Sequence, residues 1–415
     1  MAQQSNQPTF WPEIRATLFA AMAIFLYTIG IGILNGTDLV DFDHRRILGH
    51  VHGGTLGWLT LSVFAASLWL FGGQRSVSAG ERKRVRVLVV AAVASFALYV
   101  AAFSLTTNEF RPLMGAISTV VILAFFVWIL MQVPHTELGV PHWGFLAAMA
   151  SSLIGGVLGV LLGLQIATGD KYLPDGGSDA HPAMMVVGFL FPVALAMSEW
   201  AFTFPAPPRA TRAGIIQMVF PFVGGLVLMV GLLLDTNALP PVAILLEVVG
   251  VIIFLVRMWP HFRTVNFLEA NSGRWAVVSA IGSVFVIGLA QYFIIDTNGD
   301  FDLVPAHQLL ALDHSQFIAS MTSALFAMLF AATASRGIDK RLHHLVFALV
   351  VIGVSGFVIG LLADSTVMKR VFAPTMGTGL LIGLGMYAYA LYGIGNASGT
   401  PAPAATLQPE SRDDS

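Results

Sequence analysis

What most constrains this chain is the recurrence of apolar runs of roughly twenty residues, each long enough to cross a hydrocarbon core of about 30 Å as a helix. Twelve can be counted, near 16–35, 50–72, 84–106, 112–132, 143–167, 181–203, 213–234, 240–258, 275–295, 314–334, 343–363 and 374–395. Backbone polar groups in lipid must be satisfied within their own segment, so such runs become helices. The expected fold is an all-α polytopic membrane protein of about twelve transmembrane helices in a lipid bilayer. Composition agrees, because 56% of residues are hydrophobic and 11% charged, with a mean hydropathy of +0.79, which leaves little mass for a water-exposed domain. One membrane domain is expected over residues 13–396, between a disordered N-terminus (1–12) and a disordered Ala/Pro/Ser-rich tail (397–415).

Basic residues set the expected sidedness. With both termini cytoplasmic, the inner segments hold fifteen of the 21 Lys and Arg, including Arg75, Arg82, Lys83, Arg84 and Arg86. The outer loops are acidic instead, with Asp38, Asp41 and Asp43, then Asp170, Asp175 and Asp179, then Asp296, Asp300, Asp302 and Asp313. A formal net charge of -2 gives no reason to expect a nucleic-acid partner. The chain has no cysteine, which excludes disulfides, thiolate-held iron–sulfur clusters, cysteine copper centres and covalent haem attachment.

Chemistry concentrates in Gly49-His50-Val51-His52-Gly53-Gly54-Thr55-Leu56-Gly57-Trp58, at the mouth of the second apolar run. Ionisable groups at membrane depth are costly and mark function. Residues two apart on a helix point about 200° away from each other, so His50 and His52 are placed to serve two different ligands. Glu247, about seven residues inside the eighth run, is a candidate proton relay or a protonated carboxyl bonded to a neighbouring helix. Glu199 and Trp200 are expected to snorkel or anchor near the inner interface.

Internal repetition organises these residues. The long outer loops follow the first, fifth and ninth runs, and each delivers a histidine to the next helix: HVHGGTLGWLTL from His50, HPAMMVVGFLFP from His181 and HSQFIASMTSAL from His314. Gly57 and Gly188 stand seven residues after His50 and His181. Three four-helix units with pseudo-threefold symmetry are expected, with all four histidines at one depth near the outer face. One interfacial histidine alone is usually a capping or hydrogen-bonding residue; four at matching ends point to ligation. Asp43, Asp179 and Asp313 are candidate partners for the second ring nitrogen that a ligating imidazole must satisfy.

The Gly-His-x-His-x-Gly-x-Leu-Gly-Trp run resembles the helix carrying both haem ligands in the catalytic subunit of haem-copper oxidases, particularly the cbb type. That superfamily, with its nitric oxide reductase branch, has a twelve-helix pseudo-threefold subunit with haems toward the outer side. In the family this helix is the tenth, whereas here it is the second. Rotating the assignment by one four-helix unit makes the sixth helix, with His181, Met185 and Pro192, similar to the family's second. The resemblance then implies His52 and His181 as ligands of a low-spin haem, His50 as ligand of a second haem, and His314, helped by His307, as a metal ligand where the family binds copper. An unrotated assignment uses the same four histidines but leaves Gln316 where a histidine is expected. The family's three-histidine copper site is not evident, since His343 and His344 stand at the other end of the eleventh helix.

What the resemblance implies is a non-covalent, b-type haem protein of a bacterial or archaeal cytoplasmic membrane, with its haem side outward. It would act on dioxygen or nitric oxide, or pass electrons, as a haem-dependent oxidoreductase. No cytochrome-docking domain is visible, so electrons would come from a partner subunit, a soluble carrier or quinol. Two other readings stay open. The NnrS family of nitric-oxide-response haem and copper proteins also carries an H-x-H in its second span, although Gly53 stands where that family has an acidic residue. A secondary transporter without haem would equally have twelve spans, many glycines and a buried carboxyl.

Overall fold

Polar caps start the helices earlier than hydropathy alone places them. Asp43, Ser78, Thr211, Asn271 and Asp339 each accept a backbone amide two or three residues on, satisfying one of the amides that a helix start leaves without a partner. The Arg46 amide that donates to Asp43 also holds that carboxyl below the usual carboxylate range.

The computed structural model describes residues 7–297 and 303–396. Its first four spans are α1 (Trp11–Gly36), α2 (His44–Gly72), α3 (Ala79–Leu105) and α4 (Phe110–His135). The second four are α5 (Val140–Thr168), α6 (Gly177–Thr203), α7 (Arg212–Leu233) and α8 (Leu239–Phe262). The third four are α9 (Ser272–Asp296), α10 (Ala306–Arg336), α11 (Lys340–Leu362) and α12 (Thr366–Gly393). Among the described residues there is no strand, and the protein is an all-α polytopic membrane protein. Residues 1–6, the expected tail 397–415, and Asp300 and Asp302 lie outside the described residues. Order begins sooner than expected at the N-terminus: Phe10 is fully buried, its ring 5.7 Å from that of Trp128, and α1 starts at Trp11.

Burial sorts the helices into an inner three and an outer nine. The most apolar stretch is 83% buried in α2 and 67% in α6 and α10, against 33–50% in the rest, which leave one face to lipid. The outer helices close a ring in which α4 packs on α5, α8 on α9 and α12 on α1. Inside, Trp58 of α2 donates its indole N–H to Thr322 of α10 at 3.1 Å, and Ser283 of α9 bonds Ser320 of α10 at 2.8 Å. Small residues allow the tightest approach: a Cβ on Gly225 of α7 would lie 2.8 Å from the Gly188 backbone of α6.

Each inner helix widens into a π-helical turn, over Gly53–Thr60, Met184–Leu190 and Ser315–Thr322. These begin 131 residues apart in both steps. Thr60 and Thr322 support the wide turn by donating to the carbonyls of Thr55 and Phe317, five residues back. Such turns frequently sit at functional positions. Each unit has an even number of spans, so all three run in the same sense.

Glu199 and Trp200 do not snorkel. Trp200 is fully buried, and Glu199 is 6% exposed because Arg257 of α8 meets both of its oxygens at 2.8 Å. Gln217 of α7 donates to the same carboxylate at 3.2 Å. Removing one partner of a buried ion pair strands the other charge, at a cost on the order of 3 kcal/mol. We therefore expect Arg257→Met to lower the melting temperature of the detergent-solubilised protein, and Arg257→Met with Glu199→Gln to recover most of the loss. Equal melting temperatures for single and double variants would show that the pair contributes nothing.

Candidate functional site

Two cavities flank α2 near the end where α2, α6 and α10 begin. One, about 340 Å³, is lined by His52 of α2 and His181 of α6 together with Tyr99, Phe103, Arg111, Gly115, Gly156, Gly159 and Gly163. The other, about 310 Å³, is lined by His50 of α2 and His314 of α10 with Trp58, His307, Asp313 and Phe357. His50 and His52 thus open into different spaces, as their spacing on the helix requires. Because the helices start early, none of the four is at a helix mouth: His50 lies six residues inside α2, and His314 eight residues inside α10. A further hollow of about 560 Å³, on α3 and α4 beside Arg75, Lys83 and Arg84, meets none of these four histidines.

All four rings are held the same way. Nδ1 lies 2.8 Å from a backbone carbonyl in each case: Thr28 for His50, Leu48 for His52, Gly155 for His181 and Leu310 for His314. A carbonyl only accepts, so Nδ1 carries the proton and Nε2 of the neutral ring carries the lone pair. The expected partners Asp43, Asp179 and Asp313 do not fill this position, because backbone carbonyls of α1, α2, α5 and α10 reach it first. A carbonyl bond that fixes the tautomer and orients the ring is the usual second contact of a metal-ligating imidazole.

Arg111, the second residue of α4, lines the His52 cavity and was not singled out by the sequence. It is 7% exposed, its guanidinium lies 4.8 Å from the Phe103 ring centroid, and its Nε and Nη2 have no hydrogen-bond partner. Phe103 in turn stacks on His52 with centroids 4.0 Å apart. A buried guanidinium with free N–H groups beside a cavity calls for an anionic group there. The available signal was a lone arginine immediately before the fourth apolar run.

Other expected residues are not brought to the site. Glu247 of α8 packs against Gly224 of α7, is 7% exposed, leaves Oε1 without a partner and lines neither cavity. Gln316, where the unrotated alignment needs a histidine, is fully buried and also lines neither. His343 and His344 stand at the start of α11, bonded to Arg274 through the His343 carbonyl and the His344 ring. His307 shares the cavity of His50 and His314. Among the described residues, however, no group of three or more His, Cys, Asp or Glu can hold a metal ion. The residues do not fit a three-histidine copper centre.

An unbonded buried group costs about 1–3 kcal/mol. We expect Arg111→Met to raise the thermal stability of the ligand-free protein by about that much, as measured by thermal unfolding in detergent. An unchanged or lower stability would mean that Arg111 is satisfied within the protein.

No protein-family model matches the chain, and no curated protein matches it in sequence. The geometry of the two cavities is therefore what a functional reading rests on.

Proposed function

We propose that this is a haem-binding integral membrane protein, resembling the haem-copper oxidases in its histidine placement, that carries electrons through a haem held by His52 and His181. The observation that carries the reading is the pairing of these two imidazoles in one apolar cavity, each with Nδ1 tied to a carbonyl and Nε2 left with its lone pair.

The cavity fits the group in three further respects. Gly115, Gly156, Gly159 and Gly163 line it, and the missing Cβ of Gly159 leaves room for the His181 ring. Tyr99 and Phe103 line it and both pack on the His52 ring, Phe103 stacked at 4.0 Å and Tyr99 edge-on at 5.4 Å. Arg111 supplies the cation that a propionate carboxylate would neutralise. Haem ligated by two imidazoles exchanges a single electron and has no vacant position for a gas. The chain's own part is to orient the ligands, balance the carboxylate and exclude water. Three parallel four-helix units also differ from the inverted two-part repeats of many secondary transporters.

Reduced-minus-oxidised absorption spectra with pyridine haemochrome quantitation test this on protein purified from haem-supplied cells. A low-spin haem signal is expected in the wild type and is expected to be lost or converted to high spin in both His52→Ala and His181→Ala. Protein without haem would sink the reading and leave transport as the better one. A subtler variant is Gly159→Ala, whose Cβ would fall 2.7 Å from Cε1 and 2.9 Å from Nδ1 of His181. It should weaken the low-spin signal while leaving α2 and His52 in place, and an unaltered spectrum would mean that His181 is not a ligand.

A further inference from the structure

We infer that His50 and His314 form a second haem site of the same kind as the first, with both imidazoles as axial ligands and no position left for copper or a gas. This rests on the haem reading of His52 and His181 and goes beyond it, because the resemblance assigns His50 and His314 to different metals.

Register carries the argument. The π-turns at Gly53, Met184 and Ser315 repeat every 131 residues, which matches His50 with His181 and then Leu312, and matches His52 with Ala183 and then His314. His314 is therefore the counterpart of His52, although it leads its sequence segment as His50 does in the motif. Each cavity joins one histidine of the first register to one of the second: His181 with His52, and His50 with His314. The remaining combination is Leu312 with Ala183, neither of which can ligate.

Side-chain detail repeats with the register. His50 and His181 each bond a carbonyl on the first helix of their own unit, Thr28 of α1 and Gly155 of α5. Each also faces a glycine one turn beyond that carbonyl: a Cβ on Gly32 would lie 3.1 Å from His50 Cε1, and one on Gly159 2.7 Å from His181 Cε1. His52 and His314 instead bond the carbonyl four residues back in their own helix, Leu48 and Leu310. Each meets a phenylalanine from the third helix of its unit, Phe103 of α3 stacked at 4.0 Å and Phe357 of α11 edge-on at 4.9 Å. Two cavities built from the same two patterns of Nδ1–carbonyl bonding offer the same pair of Nε2 lone pairs. A ligand set built twice over predicts the same coordination twice.

The test uses the full-length protein purified from haem-supplied cells. Haem per chain is quantified, spin state is read by electron paramagnetic resonance, and a carbon monoxide difference spectrum is taken. Two haems per chain, both low-spin and neither binding carbon monoxide, are expected for the wild type. His314→Gly should turn about half of the haem high-spin and gain about one carbon monoxide per chain, with added imidazole reversing both changes. That reversal separates lost ligation from misfolding, and His181→Gly should do the same to the other half. Haem bound only in the His52 cavity, or two haems of which one binds carbon monoxide in the wild type, would overturn the inference while leaving the first site standing. Protein without any haem overturns the underlying reading and this inference together.

Discussion

A histidine placed among apolar helices must satisfy the nitrogen that carries its proton or bear the cost of a buried group without a partner. In this protein the satisfaction comes from the backbone, and the rest of the site follows from that choice. A carbonyl four residues back, or one on an adjacent helix, fixes the ring's rotation as well as its tautomer, so Nε2 has one orientation and no other duty. Had the loop carboxylates made these contacts, the rings would have been tied to polar segments at the water interface. Tied to helices, they inherit the rigidity of the bundle.

That rigidity has its source in the inner three helices. α2, α6 and α10 are surrounded by the other nine, and their buried hydroxyls and indole bond across helix boundaries to one another and to α9. The π-turns lie immediately after His52 and His314 and three residues after His181. Wide turns of this kind are retained where they place a functional group, and Thr60 and Thr322 show how the loosened carbonyls are kept satisfied. A second buried polar cluster forms around the Glu199–Arg257 pair, away from the π-turns.

The twelve spans were legible because length and hydropathy alone decide whether a segment can cross a bilayer, and every expected span has a helix. His50, His52, His181 and His314 were legible because ionisable residues are rare in such segments. Register was harder. The sequence aligns His314 with His50, since each leads its segment, whereas the π-turns align it with His52. The signal was present as a numerical coincidence: His50 and His181, like Gly57 and Gly188, are 131 residues apart, and His52 and His314 are separated by twice that. Arg111 was invisible because a single arginine near a helix start looks like any interfacial cation until the cavity beside it is known. Glu199 misled for the converse reason, since its partner Arg257 comes from another helix 58 residues away.

Neither cavity belongs to one four-helix unit. His52 and His181 come from the first and second units, His50 and His314 from the first and third, so α2 contributes to both. A ligand bridging such a pair would bind the assembled bundle and not its separated parts, and by mass action would stabilise the contacts of the first unit with the other two. Neither histidine pair joins the second unit to the third, where the helices meet directly. There Ser198 of α6 bonds Ser279 of α9 at 2.9 Å. The units thus meet in two ways, by direct contact between the second and third and around a cavity on each side of α2.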